Sequence, residues 1–194
     1  MLNKNDADLV EARDILRDAH RTYTTTISTQ GMALSLETAA LIWSLCNTRK
    51  PTSLLDLGSG FSSYVLRRWA HQAEDLVTVG SVDDDEVWLY KAEEFCREQE
   101  VPGGNFATWD AFKETNLRFD FIVYDLGRMK TRFENIGNAL NLLKPGGLVV
   151  IDDMHKFNYS NEVRRVLAER GMSAVDMKLA TIDEHEGRHC WVAM

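Results

Sequence analysis

Long apolar runs are missing from this 194-residue chain: none approaches the ~20 consecutive apolar residues that cross a bilayer. The N-terminus, Met1-Leu2-Asn3-Lys4-Asn5-Asp6, has no apolar core of the secretory kind, which predicts a cytoplasmic protein with no membrane partner. Cysteine is scarce. Cys46, Cys96 and Cys190 are odd in number and far apart, so they make neither a disulfide framework nor a metal-type pair and are expected to be buried thiols. Positive charge is short too, with a formal net charge of -8. A protein that clamps a long polyanion needs a basic face. The basic pairs Arg67-Arg68 and Arg164-Arg165 sit on expected helix surfaces. This argues against a nucleic-acid partner and for a small-molecule one. Repeats, low-complexity tracts and linkers are absent as well.

What is present is the composition of a globular protein, 44% hydrophobic and 27% charged. The length suits one domain over 1–194, with residues 1–50 as a helical cover. Leu9, Ala12, Leu16 and Ala19 fall at helical spacing, as do Leu36, Ala39, Ala40 and Trp43, with Ser35 as a cap. Thr22 to Gln30 between them reads as a loop or irregular segment, with Thr22 to Met32 a candidate lid over a site. After Pro51, strands and helices alternate. Strands are expected over 53–57, 76–82, 105–108, 119–124 and 148–151. Helices are expected over 62–70, from 84 onward, over 132–143 and over 160–170. Lys144-Pro145-Gly146-Gly147 reads as a turn. Residues 173–181 and 188–193 have no helix between them and are expected to form an antiparallel hairpin. The fold class is therefore α/β: a mainly parallel, Rossmann-like seven-stranded sheet with a C-terminal antiparallel hairpin and helices on both faces.

In such a sheet, ligands bind beyond the carboxyl ends of the strands. An acidic residue or a Gly-rich turn stands at nearly every such end. Gly58 and Gly60 follow the first strand, Asp83 ends the second and Asp110 follows the third. Asp125 ends the fourth, and Asp152-Asp153 the fifth. Solubility alone does not account for acidic residues gathered along one rim.

The run Leu54-Leu55-Asp56-Leu57-Gly58-Ser59-Gly60 resembles the first motif of class I S-adenosylmethionine-dependent methyltransferases. Ser62 stands where many members carry a third glycine. The resemblance extends over about residues 30 to 194 and includes the Leu143-Lys144-Pro145-Gly146-Gly147 block and the terminal hairpin. It implies that Asp56 faces the cofactor's ammonium group and that Gly58, Ser59 and Gly60 let the backbone approach the ligand. Asp83, about 20 residues past the glycines, is placed to hold the ribose hydroxyls. Trp109 and Asp110 resemble the adenine-binding position. Asp125 also borders this cofactor site. A dinucleotide-binding turn is the other reading of the glycines. It wants a glycine at Ser63 and lacks the acidic residue before the first glycine. A Rossmann-like domain that binds nothing is a third.

Asp125, Asp152 and Asp153 are expected to meet at one edge of the pocket. Unpaired carboxylates there repel one another, and a divalent cation would relieve this. Oxygen ligands suit Mg²⁺ or Ca²⁺. The pattern is similar to that of metal-dependent, catechol-type O-methyltransferases, which implies Asp125, Asp152 and Asp153 as metal ligands. That family's lysine base falls on Arg128 here, with Lys130 two residues on, and arginine is a poor base. Metal-free methyltransferases also end strand five with acidic residues, and Arg128 or Lys130 could neutralise the cluster instead. The candidate catalytic residues are Asp125, His155 and Lys130, His155 because an imidazole titrates near neutrality. The expected function is methyl transfer to a hydroxyl of a small molecule, Mg²⁺-assisted, by a homodimer. The alternatives are an RNA or protein methyltransferase and a silent cofactor-binding subunit of a methyltransferase complex.

Overall fold

The computed structural model describes residues 2–194. Two helices come first, α1 (Ala7–Thr26) and α2 (Leu36–Arg49). Apolar residues at helical spacing put Leu9, Ala12, Leu16, Ala19 and Tyr23 of α1 on one buried face. The helix runs further than its composition suggests. The threonines expected to loop out instead turn their hydroxyls onto the preceding turn: Thr22 donates to Asp18 O, Thr25 to Arg21 O and Thr26 to Thr22 O. Ser35 caps α2, its Oγ accepting from the Thr38 N–H at 3.1 Å. Lys50 then ends it in the left-handed region at φ 47°, just before Pro51.

The rest alternates: β1 (Ser53–Leu57), α3 (Phe61–Gln72), β2 (Thr78–Asp83), α4 (Glu86–Glu98), β3 (Phe106–Thr108), the single-turn α5 (Trp109–Phe112), β4 (Phe119–Tyr124), α6 (Met129–Asn141), β5 (Leu143–Ile151) and α7 (Phe157–Glu169). The tail holds β6 (Ala174–Asp176), the short α8 (Lys178–Thr181) and β7 (Trp191–Ala193). The strands form one seven-stranded sheet in the order β3-β2-β1-β4-β5-β7-β6. All neighbours are parallel except β5–β7 and β6–β7. This is the expected fold class, antiparallel edge included.

Side chains alternate between the two faces. Leu54, Phe121, Val123, Leu148 and Val150 join the core beneath α1, α2 and α3. Leu55, Leu57, Ile122, Tyr124, Val149 and Ile151 join the core beneath α6 and α7. Burial on both faces gives the strands their near-continuous apolar runs.

Further along the chain, β5 and the tail also depart from expectation. Lys144 to Gly147 bulge out within β5, between the pairs Phe119–Leu143 and Phe121–Leu148. The strand expected over 173–181 stops at Asp176, because Asp176 Oδ1 accepts from the Lys178 N–H at 2.8 Å and turns the chain into α8. Cys46, Cys96 and Cys190 are free and buried, as expected. Among the described residues, no helix is long and apolar enough to cross a membrane.

Candidate functional site

Strand order reverses between β1 and β4, where a doubly wound sheet opens a crevice. Here it is a cleft of about 690 Å³. Its floor is the turn Gly58-Ser59-Gly60, which feeds the N-terminus of α3. One side is Asp83 to Glu86, at the end of β2. The other is Asp125, Gly127, Arg128 and Arg132, after β4. Tyr23, Ser28 and Met32 to Leu34 supply the far wall.

The turn is drawn tightly against β4. Gly58 has φ +105°, and a Cβ there would run into the backbone carbonyl of Asp125. Gly60 is extended, and its Cβ would meet the Tyr23 hydroxyl at 3.4 Å. Asp83 fastens the turn from the side. Its Oδ2 accepts from the Ser59 N–H at 2.6 Å and the Ser59 hydroxyl at 3.1 Å, and its Oδ1 accepts from the Asp85 N–H at 3.0 Å. Oδ1 keeps a free lone pair, and a ligand hydroxyl can displace the Ser59 hydroxyl from Oδ2. Burial raises the Asp83 pKa to about 6, against these hydrogen bonds. Asp85 caps α4 through the Val87 N–H at 2.8 Å. Asp84 reaches across the cleft and accepts from the Thr131 hydroxyl at 3.0 Å.

Asp56 lies elsewhere than expected. It is fully buried under α3 and does not line the cleft. The Ser63 hydroxyl donates to its Oδ2 at 2.5 Å, and Ser63 also links to Ser81 at 3.0 Å. Arg67 closes this polar island through Ser81 at 2.7 Å. Burial raises the Asp56 pKa to about 7, with Ser63, Ser62 and Arg67 opposing. Its role here is to tie β1 to the start of α3, beneath the glycine turn. Trp109 and Asp110 also miss the cleft. Trp109 is buried in the core with its Nε1 donating to Asn135, while Asp110 is exposed and paired with Lys113 at 2.7 Å.

The end of β5 differs most from the metal expectation. Arg132, one helical turn past Arg128, inserts between the carboxylates. It pairs with Asp125 and, at 2.5 Å, with Asp153. Its Nε donates to Gly127 O at 3.1 Å. Lys156 also reaches Asp153 at 2.5 Å. Asp153 sits in the left-handed region at φ 64°, and its Oδ2 meets both cations. Asp152 is buried with one oxygen unpartnered, and burial raises its pKa to about 6, followed by the effect of Asp153. Among the described residues, no group of three or more His, Cys, Asp or Glu side chains is arranged to hold a metal ion. The acidic cluster is neutralised by Arg132 and Lys156, and the residues do not fit Mg²⁺. Sequence reasoning weighed Arg128 and Lys130 for this part and passed over Arg132.

Of the three candidate catalytic side chains, only Asp125 lines the cleft. Burial pushes its pKa up, while Arg132 pulls it down. Lys130 projects outward from α6, 86% exposed, beside Glu134. His155 stands behind the acidic cluster, its Nδ1 3.6 Å from Asp153, and burial lowers its pKa. Neither reaches the cleft, because α6 turns Lys130 to solvent and the β5–α7 loop folds His155 toward His189.

No family model and no curated protein sequence matches this chain. Solved structures do. The O-methyltransferase TomG from Streptomyces achromogenes, involved in tomaymycin synthesis and bound to S-adenosylmethionine, superposes with a TM-score of 0.61 at 18% identity, covering 100% of this chain and 91% of that one. A methyltransferase from Pyrococcus furiosus gives 0.62 at 16% identity, over 95% and 96%. An O-methyltransferase from Bacillus cereus in complex with S-adenosylhomocysteine gives 0.55 at 16%, over 97% and 90%. At such identities the likeness is one of fold, and that fold is the Rossmann-like fold of class I methyltransferases.

Proposed function

We propose that this chain is an S-adenosylmethionine-dependent methyltransferase acting on a hydroxyl of a small molecule, without a metal ion. The observation that carries this reading is the cleft at the strand-order reversal, which gathers Gly58, Ser59, Gly60 and Asp83 on one side and Asp125 on the other. Its volume is in the range of small-ligand sites, roughly 300–1,000 Å³. Asp83 supplies the acceptor for a ribose diol, and the glycine turn with the α3 N-terminus takes the ligand's backbone-facing part. The bound cofactor supplies a methyl group already activated on a sulfonium sulfur, so the chain must align the acceptor, exclude water and remove the acceptor's proton. Asp125 is the base, because it faces the cleft and its burial makes the carboxylate more basic. Arg132 takes the part a cation would play by keeping the neighbouring carboxylates compatible with one another. That several structural neighbours are named as O-methyltransferases favours an oxygen acceptor.

The test is methyl transfer from labelled S-adenosylmethionine to a panel of phenols, catechols and aliphatic diols, run in chelator and in Mg²⁺. Turnover is expected to be equal in the two. Activity that vanishes in chelator and returns with Mg²⁺ would contradict the role given to Arg132.

A further inference from the structure

Apart from Tyr23 of α1, the far wall of the cleft is built from a segment without regular structure, between α1 and α2. Ala33 and Leu34 pack into the core, but Gln30 and Met32 are exposed. Met32 and Ala33 donate their N–H groups to Thr29 O. The carbonyls go to side chains from elsewhere in the chain. Arg188 Nη1 donates to Gly31 O at 3.2 Å and Ala33 O at 2.9 Å, and its Nη2 donates to Gln30 O at 2.9 Å. The His20 ring Nε2 lies 2.9 Å from Leu34 O and must be the N–H donor there, since a carbonyl only accepts.

Arg188 is itself held. Its Nε donates to Asp183 Oδ2 at 2.6 Å, while Asp183 Oδ1 accepts from the Glu186 and Arg188 N–H groups at 3.0 Å each. The pair is buried, with side chains 7% and 6% exposed. Behind the segment lies a cavity of about 190 Å³ bordered by His20, Gln30, Asp183 and Arg188. Gln30 therefore faces open space on that side. A planar guanidinium serves three carbonyls and one carboxylate at once, which an ammonium on a flexible stem does not.

We propose that Arg188, fixed by Asp183, is a positioning residue that holds residues 30–34 in place, keeps Met32 to Leu34 as the cleft wall and so sets how tightly the site closes on its ligand. The second half of this rests on the cleft being the S-adenosylmethionine site. The link runs from the C-terminal hairpin to a segment more than 150 positions earlier in the chain.

Arg188→Lys keeps a cation beside Asp183 and is the informative variant. Arg188→Ala strands a buried carboxylate and is the harsher one. Two measurements are made on the full chain: amide hydrogen exchange without ligand, and calorimetric binding of S-adenosylhomocysteine. In Arg188→Lys, faster exchange is expected in residues 28–34 with the sheet unchanged. A general loss of structure would speed exchange in the sheet as well. If the ordered wall falls to a tenth of the population, the apparent Kd rises about tenfold. Arg188→Ala, if it folds, is expected to exceed Arg188→Lys in both readouts. Unchanged exchange over 28–34 in folded Arg188→Lys would overturn the tether. Faster exchange with unchanged affinity would overturn its role in the site. A wild-type protein that does not bind S-adenosylhomocysteine would instead overturn the functional reading, and the exchange result would still decide the tether.

Discussion

At Gly58 two constraints meet in one residue. Its φ of +105° is one that L side chains rarely adopt, and the Asp125 carbonyl occupies the space where a Cβ would go. Gly58→Ala is therefore expected to cost about 1–2 kcal/mol in conformation, with the clash added to it. Thermal unfolding checks this, and the loss should exceed that of Gly60→Ala. Gly60 is extended, and its added methyl would sit at contact distance from the Tyr23 hydroxyl. The larger Gly60→Val is a binding change rather than a folding one: the protein stays folded and loses cleft space. Spacing alone marks both glycines as close to a ligand. It does not reveal which one is strained, because that depends on how near the β4 loop runs.

The same limit applies to Asp56 and Asp83. Both stand beside the glycines in the expected pattern, and both have pKa values raised by burial. Only Asp83 faces the cleft. Asp56 is at an even position of β1 with Leu54, and the pleat turns that face toward α3. The alternation was readable, but which helix would cover that face was not.

At the scale of elements, the ends of β4 and β5 and the first turn of α6 form one electrostatic unit. Asp125, Asp152 and Asp153 come together there as the strand order requires, so this part was legible once the sheet was inferred. The insertion of Arg132 was not, because it depends on where α6 begins. That helix starts at Met129 rather than near Arg132, and the earlier start places Arg132 on the turn facing the cleft. Arg132→Met would leave Asp125 without its cation and Asp153 with Lys156 alone. A destabilisation of about 3–5 kcal/mol is expected, measured by urea unfolding. A loss below about 1 kcal/mol, typical of a solvated surface pair, would show that the cluster is not held by Arg132. The first helix gives a similar lesson. Its threonines are polar and β-branched, so composition favoured a loop, but Tyr23 is buried against Phe61 and Phe95 and holds the helix to Thr26.

Across the whole molecule, strand–helix alternation and the two closing strands were enough to specify the seven-stranded sheet with its antiparallel edge. Ligand sites in such sheets follow from topology, so the cleft's position at β1 and β4 was legible too. Its outer wall was legible in part: Thr22 to Met32 was the candidate cover, and Tyr23, Ser28 and Met32 do line the cleft. The hydrogen bonds from Arg188 to the carbonyls of Gln30, Gly31 and Ala33 follow from no local pattern. Trp109 and Asp110, expected at the adenine position, lie off the cleft for a related reason. Residues Trp109 to Phe112 form a single helical turn, which buries the indole and sends the carboxylate to Lys113.

The central claim is that an S-adenosyl ligand occupies the cleft with its ribose on Asp83. Calorimetric titration of S-adenosylhomocysteine into the wild-type protein and into folded Asp83→Ala tests it most directly. Saturable one-to-one binding is expected for the wild type. The substitution is expected to weaken it by about 1.5–3 kcal/mol, the loss of hydrogen bonds to a charged acceptor. That is about one to two orders of magnitude in Kd. No binding by the wild type, or the same affinity in both proteins, would contradict the account.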